Sequence, residues 1–251
     1  MKPSLLPLLQ IQRDLYALPR GMERFREYIK TMTDAETGDL ALPLVAMNPM
    51  GKDHIPALLD EYIGLGAEPI AQDGINSASV DFSRDFKVAL VVSDDLRGGW
   101  TNRWASEYSH RIESQAFLKR GFITGLLWTS EPASRDRVRD AVLTAIYRAA
   151  YLQTHAAPKT LGEMLAQEGY ATARAGCTTP SLDADDLEYS RSVITPHLNA
   201  TDRATVIACL FGDTAANALG YPPQGLSERA GFALALHDAR ALVQSPDDRG
   251  E

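Results

Sequence analysis

Apolar and polar positions alternate along this chain with two different periods, and the change of period marks its organisation. Over 22–33, "MERFREYIKTMT", the residues Met22, Phe25, Tyr28, Ile29 and Met32 recur at three-and-four spacing and predict a helix. "LALPLVAMN" (40–48) is an apolar run of strand length with a proline near its start, where a strand tolerates one. It runs into "PMGKDHIPALLDEYIGLG", where Ile55, Leu58, Leu59, Tyr62 and Ile63 form a stripe and Gly64 and Gly66 supply a stop. "AEPIA" (67–71) reads as a weaker second strand, and 73–86 as a polar connection that could hold a short helix.

The contrast sharpens afterwards. "KVALVV" (87–92) and "GFITGLLWTS" (121–130) are apolar throughout, as strands buried on both faces should be. Between them "WASEYSHRIESQAFLKR" predicts a helix. After them "SRDRVRDAVLTAIYRAAYLQ" (134–153) predicts a long one, with Val138, Val142, Ala145, Ile146 and Ala149 on one face. Strand, helix, strand, helix is the pattern of parallel βαβ units. The fold class expected is therefore α/β: a layered domain with a short, mostly parallel sheet flanked by helices, plus an all-helical C-terminal part.

That C-terminal part begins near residue 158, beyond which no strand pattern occurs. Thr160 and Glu163 form a Thr-x-x-Glu capping box, in which side chain and backbone satisfy each other's open groups at a helix start. "SLDADDLEYSRSVITPHL", "DRATVIACLFGDTAANALG" and "LSERAGFALALHDARALV" predict three more helices. The expected division is an α/β domain with an N-terminal helical arm over 1–157, a helical part over 158–245 packed on it, and a frayed tail over 246–251.

Bulk properties narrow the partners. The 251 residues are 45% hydrophobic and 23% charged, ordinary for a globular chain able to bury a large core. A net charge of −8 argues against nucleic acid and anionic membrane, which call for a broad positive field, but leaves a small anionic molecule open. The two cysteines, Cys177 and Cys209, lie far apart in no metal-ligand spacing and read as idle thiols in a reducing compartment. "MKPSLLPLLQIQRDLYALPRG" is too short and too broken by proline to span a bilayer and has no small-residue cleavage site. A soluble, cytoplasmic protein is expected.

The candidate chemistry follows from topology, because ligands of parallel sheets sit outside the carboxyl ends of the strands. Three strand-to-helix loops should open there: 48–54, 93–103 and 128–134. The first offers Asn48 and, just before a helix start, Gly51 and Lys52, a weak anion signature. Asp53 reads as the helix cap, and His54 equally as a surface residue. The second, "SDDLRGGWTNR", sets Asp94 and Asp95 beside Arg97, Gly98, Gly99, Asn102 and Arg103. Adjacent carboxylates can hold a magnesium ion, orient a hydroxyl or serve as a base, while arginines can hold an anion. The same charges could instead pair with one another as scaffold, and Asn102 could be only a cap. On the following helix Arg103, Glu107, His110 and Ser114 share a face. His110, whose ordinary pKa lies near working pH, is the candidate proton carrier. A Glu-x-x-His pair alone is a poor metal signature, because di-metal bundles need it twice.

These residues point to an enzyme of small-molecule metabolism, a hydrolase or group transferase acting on an anionic, phosphorylated or carboxylated, substrate. Asp94, Asp95 and His110 would carry the chemistry, and Asn48, Lys52, Arg97, Asn102 and Arg103 would bind. No metal ligand set is identified, and magnesium is the cation the aspartates would suit. The alternative is a non-catalytic ligand-binding or homo-oligomeric assembly protein in which the 93–104 loop is an ion-paired scaffold.

Overall fold

Two strands make up most of the sheet, β2 (Lys87–Ser93) and β3 (Phe122–Trp128). They run parallel and in unbroken register, from Lys87 opposite Phe122 to Ser93 opposite Trp128. All of β2 except Lys87 is buried, which is why it reads as continuously apolar rather than alternating. This is the computed structural model of the chain, and it describes residues 1–96 and 102–244.

The third strand is not where the sequence pattern puts it. β1 (Ser4–Leu5) pairs in parallel with Lys87 and Val88, giving the order β1-β2-β3. A two-residue strand carries no periodicity to read. Past it the edge of β2 is closed by a side chain: the fully buried Gln12 donates to the Val92 carbonyl at 2.6 Å and accepts from the Val92 amide at 3.0 Å. One side-chain amide thus takes the place of a neighbouring strand at Val92 and satisfies both of its backbone groups.

The run 40–48 is not a strand, although part of it is buried. Leu44 and Met47 are fully buried within tight turns, and Leu40 makes only an isolated bridge to Thr33. Pro43 lacks an amide, and the position beside β2 is taken by β1 and Gln12. The run 67–71 is a helix. Gly66, in the left-handed region at φ 74°, ends α3 (His54–Leu65), and α4 (Ala67–Ser77) starts at the next residue. Pro69 falls in the first turn of α4, where its missing amide costs no hydrogen bond. Ile70, Ala71, Gly74 and Ile75 make its buried face at helical spacing.

Two further helices, α1 (Leu9–Ala17) and α2 (Met22–Met32), precede α3. The helix predicted between β2 and β3 is two, α5 (Arg103–Ile112) and α6 (Gln115–Lys119). The long α7 (Arg135–Thr154) packs on β3, on α4 and on α8 (Leu161–Ala175), whose capping box at Thr160 and Glu163 is formed. Beyond α8 lie α9 (Ala184–Ile194), α10 (Arg203–Phe211), α11 (Asp213–Ala218) and α12 (Ala230–Gln244). Gly212, at φ 83°, divides α10 from α11 within what reads as a single amphipathic stretch. No strand occurs among the described residues after β3.

The architecture is an α/β layered fold with a helical C-terminal part. One core lies around the sheet and takes in Val142 and Ile146 of α7 and Ala171 and Ala175 of α8. The second joins Leu161 and Met164 of α8 to Phe211 and Phe232, and it includes Tyr108 and Ile112 of α5. No helix among the described residues is long and apolar enough to cross a membrane.

Candidate functional site

The carboxyl ends of β2 and β3 bring 48–54, 93–96 and 129–131 together. The first of these loops arrives from turns rather than from a strand, yet it reaches the same edge. Tyr16 fixes it there by donating from its hydroxyl to the Asn48 carbonyl at 2.6 Å.

The two adjacent aspartates divide at this point. Asp94 is 4% exposed and faces the 48–54 loop. It accepts from Asn48 Nδ2 at 3.1 Å and from Thr129 Oγ1 at 3.0 Å, and its Oδ1 lies 2.8 Å from His54 Nε2. Burial pushes its carboxyl upward, but the hydrogen bonds from His54, Thr129 and Asn48 outweigh this and hold it below the ordinary value. Asp95 turns the other way. It accepts from the Ser130 amide at 2.8 Å, from Ser130 Oγ at 2.6 Å and from Arg103 Nη1 at 2.8 Å. Arg103 continues to Glu131 at 2.5 Å, and Glu131 in turn pairs with Arg137. The ion-paired scaffold weighed as the alternative for this loop matches the surroundings of Asp95, while Asp94 has no arginine among its hydrogen-bond partners given above.

Beside His54 the surface opens into a pocket of roughly 590 Å³ lined by Arg20, Arg24, Gly51, Lys52, Asp53 and His54. Lys52 and Arg20 are exposed on its rim. Arg24 is buried, and its guanidinium donates only to backbone carbonyls, among them Leu18 at 2.6 Å and Gly51 at 3.2 Å. Among the described residues none of these three cations forms an ion pair, so the pocket carries an excess of positive charge inside a chain of net charge −8. His54 Nδ1 is buried without a hydrogen-bond partner. Asp53, read as the cap of α3, makes no capping hydrogen bond.

The remaining predicted residues go elsewhere. Asn102 is the N-cap of α5 and accepts from the Ala105 amide at 3.1 Å. Arg103 belongs to the Asp95 network. Arg97 lies outside the described residues. His110 is not brought to the Asp94 edge: its Nε2 donates to the Thr124 carbonyl at 2.8 Å, beside a small cavity lined by Phe117 and Arg148. Burial is the main cause that lowers its pKa to about 4, so the imidazole stays neutral. Glu107, one turn before it, is enclosed by Arg103, Arg111 and Arg229 rather than aligned with His110. Among the described residues no three His, Cys, Asp or Glu side chains gather as a metal ligand set.

The sequence reading missed His54 as the partner of Asp94, and missed Thr129 and Arg20 altogether. The one available signal was that His54 and Asn48 share a loop due at the same sheet edge as Asp94.

Comparison with known proteins adds one resemblance. A stretch of 83 residues is 36% identical to the uncharacterized protein YjfC of Bacillus subtilis (strain 168). The match covers 33% of this chain and 28% of YjfC, so the chain spans well under two thirds of that relative. No family model matches the chain. No solved structure matches it either.

Proposed function

We propose that the carboxyl edge of the sheet is the active site of a small-molecule enzyme, a hydrolase or group transferase acting on an anionic substrate. His54 is its general acid–base, and Asp94 the group that orients it. The observation that carries this reading is the 2.8 Å contact of His54 Nε2 with a buried carboxylate. A carboxylate held ionised by three neighbours fixes the imidazole tautomer with the proton on Nε2 and stabilises the cation that forms when the ring takes a second proton. Nδ1 is then the basic atom. Nδ1 has no protein partner, so it can take a proton once a ligand or water reaches it.

Lys52 and Arg20 on the rim, with Arg24 behind them, favour a negatively charged ligand. The amide end of α3 adds to the same field. A phosphorylated or carboxylated molecule seated there would put its reacting bond beside His54. The ring would take the proton of an attacking water or acceptor hydroxyl and return it to the leaving group. A second reading keeps the pocket without turnover, as a ligand-binding protein, and the extent to which Asp95 is tied into scaffold favours it.

The two readings separate in a screen of phosphate monoesters and carboxylate esters. Under the enzyme reading, His54→Gln lowers kcat by about 10²–10⁴-fold, the usual range for a lost general acid–base, and Lys52→Ala raises KM. Binding without turnover selects the second reading. No anion binding at all refutes both.

A further inference from the structure

The hydroxyl of Thr129 stands between the two adjacent aspartates, within hydrogen-bonding distance of both. Its Oγ1 is 3.0 Å from Asp94 Oδ1 and 3.0 Å from Asp95 Oδ1. The same oxygen accepts from the Asp95 backbone amide, also at 3.0 Å. The side chain is buried, and its position is fixed from two directions. The Thr129 amide donates to the Ser93 carbonyl at 3.1 Å, which continues the pairing of β2 with β3 by one residue. A β-branched side chain is also stiff at χ1, so what is left free is the rotation of the O–H bond.

A hydroxyl carries one proton and therefore serves one carboxylate at a time. The two aspartates differ in what else they receive. Asp95 has a permanent cation, Arg103 Nη1, at 2.8 Å, together with Ser130 Oγ at 2.6 Å and the Ser130 amide at 2.8 Å. Asp94 has the ring of His54 at 2.8 Å, Asn48 Nδ2 at 3.1 Å and the Leu96 amide at 3.3 Å. Of these last three groups, His54 alone changes its charge.

The best place for the Thr129 proton therefore depends on the state of the ring. While His54 is neutral, Asp94 is the carboxylate with more to gain from another donor. Once the ring is charged, an imidazolium lies against Asp94 Oδ1, and a charge-assisted bond is the stronger one. The hydroxyl can then turn to Asp95 Oδ1, which is equally near. No heavy atom moves, and the proton stays on Oγ1. A backbone amide in the same place would compete with the ring for Asp94 Oδ1 in both states.

We infer that Thr129 is a positioning residue of the His54–Asp94 pair, with a hydroxyl that donates to Asp94 while the ring is neutral and turns to Asp95 when the ring is charged. Asp94 is thereby released to hold the imidazolium at the moment it forms. The inference rests on the reading of His54 as the acid–base. The other charged or titratable groups around the pair are Arg20, Arg24, Lys52 and Asp53 at the pocket, Tyr16 behind Asn48, and Arg103 with Glu131 beyond Asp95. Among the described residues Thr129 hydrogen-bonds to the side chains of none of these.

Proton NMR of the isotope-labelled protein tests this through the low-field Nε2–H signal of His54, identified by its loss in His54→Gln and followed as the ring is protonated. Thr129→Val keeps the shape and removes the hydroxyl. The signal of the neutral ring should then lie downfield of its wild-type position, that of the charged ring should be unmoved, and the shift between the two should shrink. Thr129→Ser, which keeps the hydroxyl, should restore the wild-type shift. A valine variant that moves both signals equally would make Thr129 a fixed donor and overturn the inference. So would a variant that moves neither, or a serine variant that behaves like valine; each of these results leaves the His54–Asp94 bond standing. A wild-type spectrum with no signal that His54→Gln removes would refute that bond, and the reading of His54 with it.

Discussion

His54 Nε2 lies 2.8 Å from Asp94 Oδ1, joining the first turn of a helix to the end of a strand across a separation of 40 residues. One residue further along, Asp95 is bound by Ser130 and Arg103 on the other side of the strand end. Successive side chains at a strand end point to opposite faces. The two aspartates therefore do different things: Asp94 holds His54, which lines the cationic pocket, and Asp95 locks the β3 loop to α5.

Asp95 should thus behave as a structural residue. Asp95→Ala removes the acceptor for Arg103 and Ser130 at a side chain that is almost wholly buried. Chemical denaturation should show a loss of about 1–3 kcal/mol, with anion binding at the His54 pocket retained in the folded fraction.

Glu107 ties α5 to the residue before α12. Arg229 has φ 60°, rare for a residue with a side chain, and its fork closes on Glu107. Glu107→Ala leaves three guanidinium groups around an empty position and should cost about 3–5 kcal/mol in a denaturant titration.

The same network sets an acid limit. Burial raises the Glu107 and Glu168 carboxyls, but the surrounding arginines prevail and hold both well below the ordinary glutamate value, Glu168 at about 2. Because the folded-state values are depressed, this stabilisation is complete above the unfolded value near 4.3 and is lost as pH falls through the folded values. Melting temperature should fall steeply below about pH 4.3 in the wild type, and more gently in a Glu168→Gln variant.

His110 acts in a higher window. Its folded-state pKa is about 4 against an ordinary 6.5. Above 6.5 both states are neutral; below it the unfolded chain takes a proton that the folded protein refuses, so stability declines from pH 6.5 towards 4. The full decline is at most about 3 kcal/mol. His110→Gln, which can still donate to the Thr124 carbonyl, should flatten the slope measured between pH 6.5 and 5.

What could be read in advance depended on whether a feature was local. β2 and β3 are legible because burial on both faces leaves an unbroken apolar run, and the Thr160 box because its partners are three residues apart. β1 was not, since its pairing is a backbone event in two residues. The run 40–48 reads as a strand because it is apolar, but burial of Leu44 and Met47 does not require a strand. The strand-end rule placed Asn48, Asp94 and Asp95 at one edge. It could not give the facing of the two aspartates or the return of His54, because these depend on contacts across 35 and 40 residues.

The central question is whether the His54–Asp94 edge binds anions as a functional unit. Inorganic phosphate and a panel of phosphorylated and carboxylated metabolites, titrated by calorimetry into wild type, His54→Gln and Lys52→Ala, decide it. The prediction is an anion that binds the wild type and weakens by about tenfold or more in both variants, while their melting temperatures stay within a few degrees of the wild type. Anions that bind all three proteins equally, or none that bind the wild type, would contradict it.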